Sequence, residues 1–154
     1  MKKHLLLLCL LIIGISSCKK SSPTFDAAAQ AATDDALIKA YIATKNINAT
    51  KDASGLYYSV ITQGTGAYPT ASSTVSVNYS GTLLNGSAFA PLSAFTTPLS
   101  GVIKGWQIGI PHINAGGRIL LIVPSGLAYG NTSPGASIPA NSVLVFTIDL
   151  LSFN

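Results

Sequence analysis

The chain is predicted to fold as an α+β domain, an antiparallel curved β-sheet wrapped around one short α-helix, with a separate helix N-terminal to it. Three observations lead there. Val75, Val77 and Tyr79 alternate with Thr74, Ser76, Asn78 and Ser80, and Leu144, Phe146, Ile148 and Leu150 alternate with Val145, Thr147 and Asp149. A period of two is the mark of strands with one buried face, so Tyr79 and Phe146 point inward. The run "RILLIVP", 118–124, is apolar at both parities, as in a central strand covered on both sides. Between the strands only about 105–110 reads as helix, and it is too short to be anything but a plug across the sheet.

Taken in order, residues 1–17, "MKKHLLLLCLLIIGISS", place Lys2 and Lys3 before an apolar run from Leu5 to Ile13. The run is shorter than the roughly 20 residues a membrane-spanning helix needs, and a basic start with a small-residue exit has the layout of a secretory signal. Its end, Ile15-Ser16-Ser17-Cys18, resembles the bacterial lipobox, in which the cysteine is acylated and heads the mature chain. The alternative is an ordinary signal peptide with an incidental cysteine. Cys9 leaves with the leader, so the mature chain has one cysteine and no internal disulfide, and it must fold by its core alone.

Residues 18–33 read as a lipidated tether. A helix is expected over 34–45, starting at Thr33 with Asp34 and Asp35 in its first turn and Ile38, Tyr41 and Ile42 at helical spacing, after a weaker turn over 27–32. With the first part of the spacer "NINATKDAS" (46–54), it makes up residues 34–52. The main domain spans 53–154. It opens with a strand, "GLYYSVI" at 55–61, and two Pro-, Gly-, Ser- and Ala-rich stretches, 86–99 and 125–141, are expected to be long functional loops. Leu120 and Ile122 alternate with Ile119, Leu121 and Val123, so one set must face away from the plug. Ile38, Tyr41 and Ile42 could cover that set; a dimer contact is the alternative.

The formal charge of +4 falls to +2 when Lys2 and Lys3 leave, too little for nucleic-acid binding. From Ala53 onward the only charged residues are Lys104, Arg118 and Asp149, so recognition by this domain is not by charge. His4 leaves with the leader and His112 stands alone, so neither a metal site nor any other cofactor is expected.

The segments "VNYSGTLLNGSAF", "PLSGVIKGW", "AYG" and "IPANSVLVFTIDLL" together resemble, in order and near the usual spacing, the FKBP-type peptidyl-prolyl cis/trans isomerases over 53–154. The resemblance implies a pocket that receives a substrate proline ring, with Trp106 as its floor. It makes Tyr79, Phe89, Trp106, Tyr129 and Phe146 the catalytic set and Phe95, Val102, Ile103 and Ile138 the substrate-binding set. Within these, the Ile103 N–H would hold a substrate carbonyl, Tyr129 would offer its phenol to the peptide, and Ile138 would close the rim. Taken singly, Trp106, Tyr79 and Phe146 read more readily as core packing than as a binding wall; their joint occurrence is what points to a pocket.

Three departures stand out. Ala90 occupies the position where the family usually has aspartate, which leaves the Tyr79 hydroxyl without its expected partner. Thr97 replaces a second phenylalanine and narrows the aromatic wall, and Ser133 falls where many members have histidine. The resemblance implies proline-containing polypeptides as partners, a membrane reached through Cys18, and isomerisation that helps exported proteins fold in the bacterial envelope. A catalytically weak proline-binding chaperone or adaptor is the alternative that Ala90 favours, and a purely structural lipoprotein is a third. The protein is expected to be a monomer, with a dimer through the N-terminal helix as the other arrangement.

Overall fold

A computed structural model describes residues 25–154; the leader and the expected lipidation site Cys18 lie outside the described residues. Helix α1 spans Ala27–Lys45. It starts seven residues before the expected position because Asp26, not Thr33, is the N-cap: the Asp26 carboxylate accepts from the Ala28 and Ala29 N–H groups at 2.9 and 3.1 Å. Thr33 lies inside the helix, where its hydroxyl donates back to the Ala29 carbonyl. The helix ends at Asn46, whose left-handed conformation (φ 52°) lets the Ile47 N–H reach the Ile42 carbonyl.

Six strands follow: β1 Thr50–Lys51, β2 Tyr57–Thr62, β3 Thr74–Leu83, β4 Ala88–Pro98, β5 Arg118–Val123 and β6 Leu144–Phe153. They form one antiparallel sheet in the order β1-β2-β5-β6-β3-β4. Helix α2, Lys104–Gly109, continues into a short 3₁₀ turn, Ile110–His112, and packs across one face as expected of the plug. Trp106 and Ile110 from this segment meet Val75, Val77, Ile119, Leu121, Phe146 and Ile148 in the main core. Contact with β5 is close: a Cβ on Gly105 would lie 2.4 Å from a Val123 methyl carbon, so only glycine lets the helix settle at this depth.

The other face of the sheet is covered by α1. Ile38, with Tyr41 and Ile42 beside it, packs on Tyr57, Leu120, Ile122, Val143 and Val145. The apolar double parity of β5 is thereby explained: Ile119, Leu121 and Val123 serve the core with α2, while Leu120 and Ile122 serve the seam with α1. Asp35 ties this seam at its edge, bonded to Lys39 at 2.7 Å, to Lys51 at 2.5 Å and to the Tyr57 hydroxyl at 2.7 Å.

Strand β4 corrects the expectation of a loop over 86–99. Its composition is poor for a strand, but it lies at the sheet edge, where proline is tolerated because one side of the backbone needs no ladder partner. The ladder to β3 slips between the pairs Val77–Phe95 and Tyr79–Leu92. At this bulge Ala94 takes φ 53°, and its N–H donates to the Asn78 side-chain oxygen at 2.7 Å.

Candidate active site

A cleft of about 490 Å³, walled by aromatic and aliphatic side chains together with polar backbone and hydroxyl groups, opens between α2, β3, β4, β6 and the loop 134–138. Trp106 lies at its base, 4% exposed. The indole is fixed from two sides by edge-on aromatic packing, with ring centroids 4.8 Å from Tyr79 and 5.3 Å from Phe146, each at 86°. Phe95 extends the wall from Tyr79 at 5.9 Å, and Phe89 extends it from Phe146 at 5.6 Å. Gly81 makes room for Phe89, since a Cβ there would fall 2.4 Å from the phenyl ring.

The β4 bulge decides which side chains of that strand meet the cleft. Ala90 and Phe95 are an odd number of residues apart and would point to opposite faces of a regular strand. The extra residue reverses the parity: Phe95 pairs with Val77 before it, Ala90 pairs with Gly81 after it, and both line the cleft.

All nine pocket residues named from the sequence line this one cleft: Tyr79, Phe89, Phe95, Val102 and Ile103, then Trp106, Tyr129, Ile138 and Phe146. Ile103 is the N-cap of α2, and no acceptor among the described residues takes its backbone N–H. Tyr129 is 41% exposed at the rim. Among the described residues, no charged side chain lines the cleft. Burial pushes the Tyr79 phenol above its ordinary pKa, and the nearby Tyr129 phenol adds to the shift. His112 is held elsewhere, stacked on Tyr58 at 4.1 Å.

One expectation about the departures is revised and a second is narrowed. Thr97 pairs with Val75 and does not line the cleft, so it does not shape the aromatic wall directly. Among the described residues, the buried side-chain atoms lacking a partner are Trp106 Nε1 and Asn141 Oδ1; the Tyr79 hydroxyl is not one of them. A half-buried phenol at a cleft wall can reach water, so losing the carboxylate at position 90 leaves no orphaned buried hydroxyl.

Ser133 has a task of its own. Its hydroxyl lies 2.7 Å from the Gly135 and Ile138 carbonyls and so latches the rim loop that carries Ile138. The rim stretch 134–137, which also lines the cleft, was not singled out residue by residue in the sequence, although the composition of 125–141 marked it as a functional loop.

Comparison with known proteins follows the same lines. The sequence profile of the FKBP-type peptidyl-prolyl cis-trans isomerases matches residues 66–151. The chain is 46% identical over 104 residues to the FKBP-type peptidyl-prolyl cis-trans isomerase FkpA of Escherichia coli (strain K12), covering 64% of this chain and 38% of that protein. It is 42% identical over 103 residues to the outer membrane protein MIP of Legionella longbeachae, covering 64% of this chain and 44% of the other. The crystal structure of FkpA from Escherichia coli superposes with a TM-score of 0.71 at 37% identity, over 82% of this chain and 62% of that one. The chain thus matches less than half the length of these two curated relatives.

Proposed function

Because the chain belongs to the FKBP-type peptidyl-prolyl cis-trans isomerase family, we propose that its cleft binds proline-containing polypeptides and speeds rotation about the X–Pro bond. The observation that carries this reading is the indole floor within an aromatic cleft lined by no charged group.

Amide resonance sets a barrier of about 18–20 kcal/mol to this rotation, and the unaided reaction takes tens to hundreds of seconds. No covalent bond is made or broken, so neither a nucleophile nor a general base is needed. The twisted transition state has lost conjugation, and its carbonyl is less strongly hydrated than the planar one. A cavity that excludes water and grips the proline ring therefore favours the twisted form over the planar form, which is the differential binding that catalysis requires. The proline ring rests on Trp106 between Tyr79 and Phe146. The Ile103 N–H donates to a substrate carbonyl and sets the direction of the chain, and the Tyr129 hydroxyl donates to the carbonyl of the rotating peptide.

The second reading, a proline-binding chaperone or adaptor with weak turnover, is favoured by Ala90, which puts a methyl group where a carboxylate would hold Tyr79. A protease-free isomerisation assay by NMR exchange, run beside peptide titration of Trp106 fluorescence, separates the two. Accelerated exchange supports the isomerase, binding without acceleration supports the adaptor, and neither overturns both.

The biological setting belongs to the same proposal. The leader and the Ile15-Ser16-Ser17-Cys18 sequence support export and acylation at Cys18, which would hold the domain at a membrane of the bacterial envelope, where it acts on exported proteins. Metabolic labelling with a palmitate analogue tests this. Label on the wild-type chain and none on Cys18→Ala is expected, and an unlabelled wild-type chain would remove the anchor from the proposal.

A further inference from the structure

Asp34 is 1% exposed, yet its carboxylate takes no part in the chemistry above. It lies on α1, across the sheet from Trp106. Its Oδ2 accepts from the backbone N–H of Ser125 at 2.8 Å and from the Ser125 hydroxyl at 2.6 Å, while its Oδ1 accepts from the Gln30 amide at 2.8 Å. Ser125 begins the 3₁₀ turn Ser125–Leu127 that follows β5. The Ser125 carbonyl accepts from the N–H groups of Ala128 at 2.9 Å and Gly130 at 2.8 Å, the two residues that flank Tyr129. The Gly130 carbonyl in turn accepts from the Asn141 N–H at 2.7 Å, where the rim loop rejoins the sheet. One hydrogen-bonded chain thus runs from the helix on one side of the sheet to the backbone on either side of Tyr129, whose phenol lines the cleft on the other.

Packing alone does not hold this chain in place. Tyr129 is substantially exposed, and the seam beneath it contains a second cavity of about 310 Å³ lined by Gln30, Asp34, Pro124, Gly126 and Leu127 among others. That local cavity at the start of α1, unlike the packed part of the seam around Ile38, leaves the spacing between the helix and the turn to the hydrogen bonds. Removing the carboxylate would strand the N–H and the hydroxyl of Ser125 in a buried setting, and the turn would have to move to satisfy them. We propose that Asp34 is a positioning residue: through Ser125 it makes α1 the support that sets the place of Tyr129 in the cleft wall. The effect on rate rests on the isomerase reading; the effect on the turn does not.

The test uses the full chain and the variants Asp34→Ala, Asp34→Asn, Tyr129→Phe and the double variant Asp34→Ala/Tyr129→Phe. Amide hydrogen exchange reads the turn directly. In Asp34→Ala the Ala128 and Gly130 amides should exchange roughly tenfold faster while the amides of β3 and β6 keep their protection. Unchanged exchange at those two amides, or an equal increase across the sheet, would overturn the proposal. In the isomerisation assay Asp34→Ala should lower kcat/KM about tenfold through a misplaced phenol, and Asp34→Asn, which keeps an acceptor for Ser125, should recover most of it. Added to Tyr129→Phe, the Asp34→Ala change should cost no more than about twofold. Losses that multiply in full would make Asp34 a general support and not a positioning residue. A wild-type chain without turnover would refute the isomerase reading, and the exchange measurement would still decide the role of Asp34.

Discussion

On the face of the sheet that meets α1, the apolar side chains directly beneath the helix are buried: Ile38 and Ile122 are 0% exposed, Leu120 is partly covered, and Asp35 gathers Lys39, Lys51 and Tyr57 at the margin. On the face that meets α2 the same sheet supplies equally apolar residues, but the six-residue helix is too short to cover them, and the uncovered part is the cleft. Both faces are built by burying hydrocarbon. Whether an apolar face becomes core or pocket is decided here by the length of the helix laid over it. The position of charge follows the same division, with ion pairs around the closed seam and no charged side chain in the open cleft.

The sharpest way to break this comparison is to truncate one large residue on each face. Trp106→Ala and Ile38→Ala should each lower stability by about 3 kcal/mol, as large-to-small changes at buried sites do. Only Trp106→Ala should also remove function, lowering kcat/KM by about a hundredfold or more and abolishing peptide-dependent NMR shifts at temperatures where the protein remains folded. Denaturant melts paired with isomerisation rates check both. Equal loss of activity per unit of lost stability would mean that the two faces do not differ in kind.

A smaller effect is expected from Ala90→Asp. The side chain lines the cleft beside Tyr79, so the new carboxylate can accept from the phenol and stiffen the wall. Isomerisation should rise roughly severalfold, in keeping with one added charge-assisted hydrogen bond whose gain is shared between bound ground state and transition state. An unchanged rate in a folded variant would show that position 90 does not govern turnover.

The smallest effect separates the faces by pH. Hydrogen bonds from Lys39, Lys51 and Tyr57 hold the Asp35 carboxyl well below the usual carboxylate range, and a hydrogen bond from Arg118 lowers that of Asp149. A depressed carboxylate pKa contributes stability that is present above the unfolded value, about 4, and is lost as pH falls through the folded value. The thermal midpoint should therefore decline modestly below about pH 4, and Asp35→Asn should flatten that decline; these groups are solvent-facing, so the change is small. With no carboxylate, imidazole or amine in the cleft, and with Tyr79 shifted upward, kcat/KM of the folded protein should be level from about pH 5 to 9. A bell-shaped profile in that range would point to an ionisable group at the site.

Much of this was legible before any coordinates. Strand β3 alternates because one face is buried by apolar side chains and the other carries Thr, Ser and Asn, and β6 follows the same period at Phe146–Leu150, although Val145 on its second face is buried beneath α1. The four linked motifs contain eight of the nine pocket residues, Phe95 lying between two of them, although which of them touch is a matter of packing. Strand β4 was hidden because its Pro, Ala and Ser content is tolerable only at a sheet edge, and being at an edge is a property of the whole sheet. The start of α1 was misplaced because Thr33 and Asp26 are both good caps in isolation; the carboxylate that meets free N–H groups wins, and Thr33 turns its hydroxyl to the helix backbone instead.

The sequence by itself determined the hydrophobic periods, the near absence of charge from Ala53 onward and the chemistry available to the cleft, since these depend on side-chain type and local spacing alone. Only the tertiary structure decided that β4 reverses parity at Ala94 so that Ala90 and Phe95 share a wall, and that Asp34 meets Ser125 across 91 residues of chain. Both are outcomes of strand register and helix docking. Such long-range pairings take their free energy from surfaces buried far apart in sequence, so no local stretch of residues encodes them.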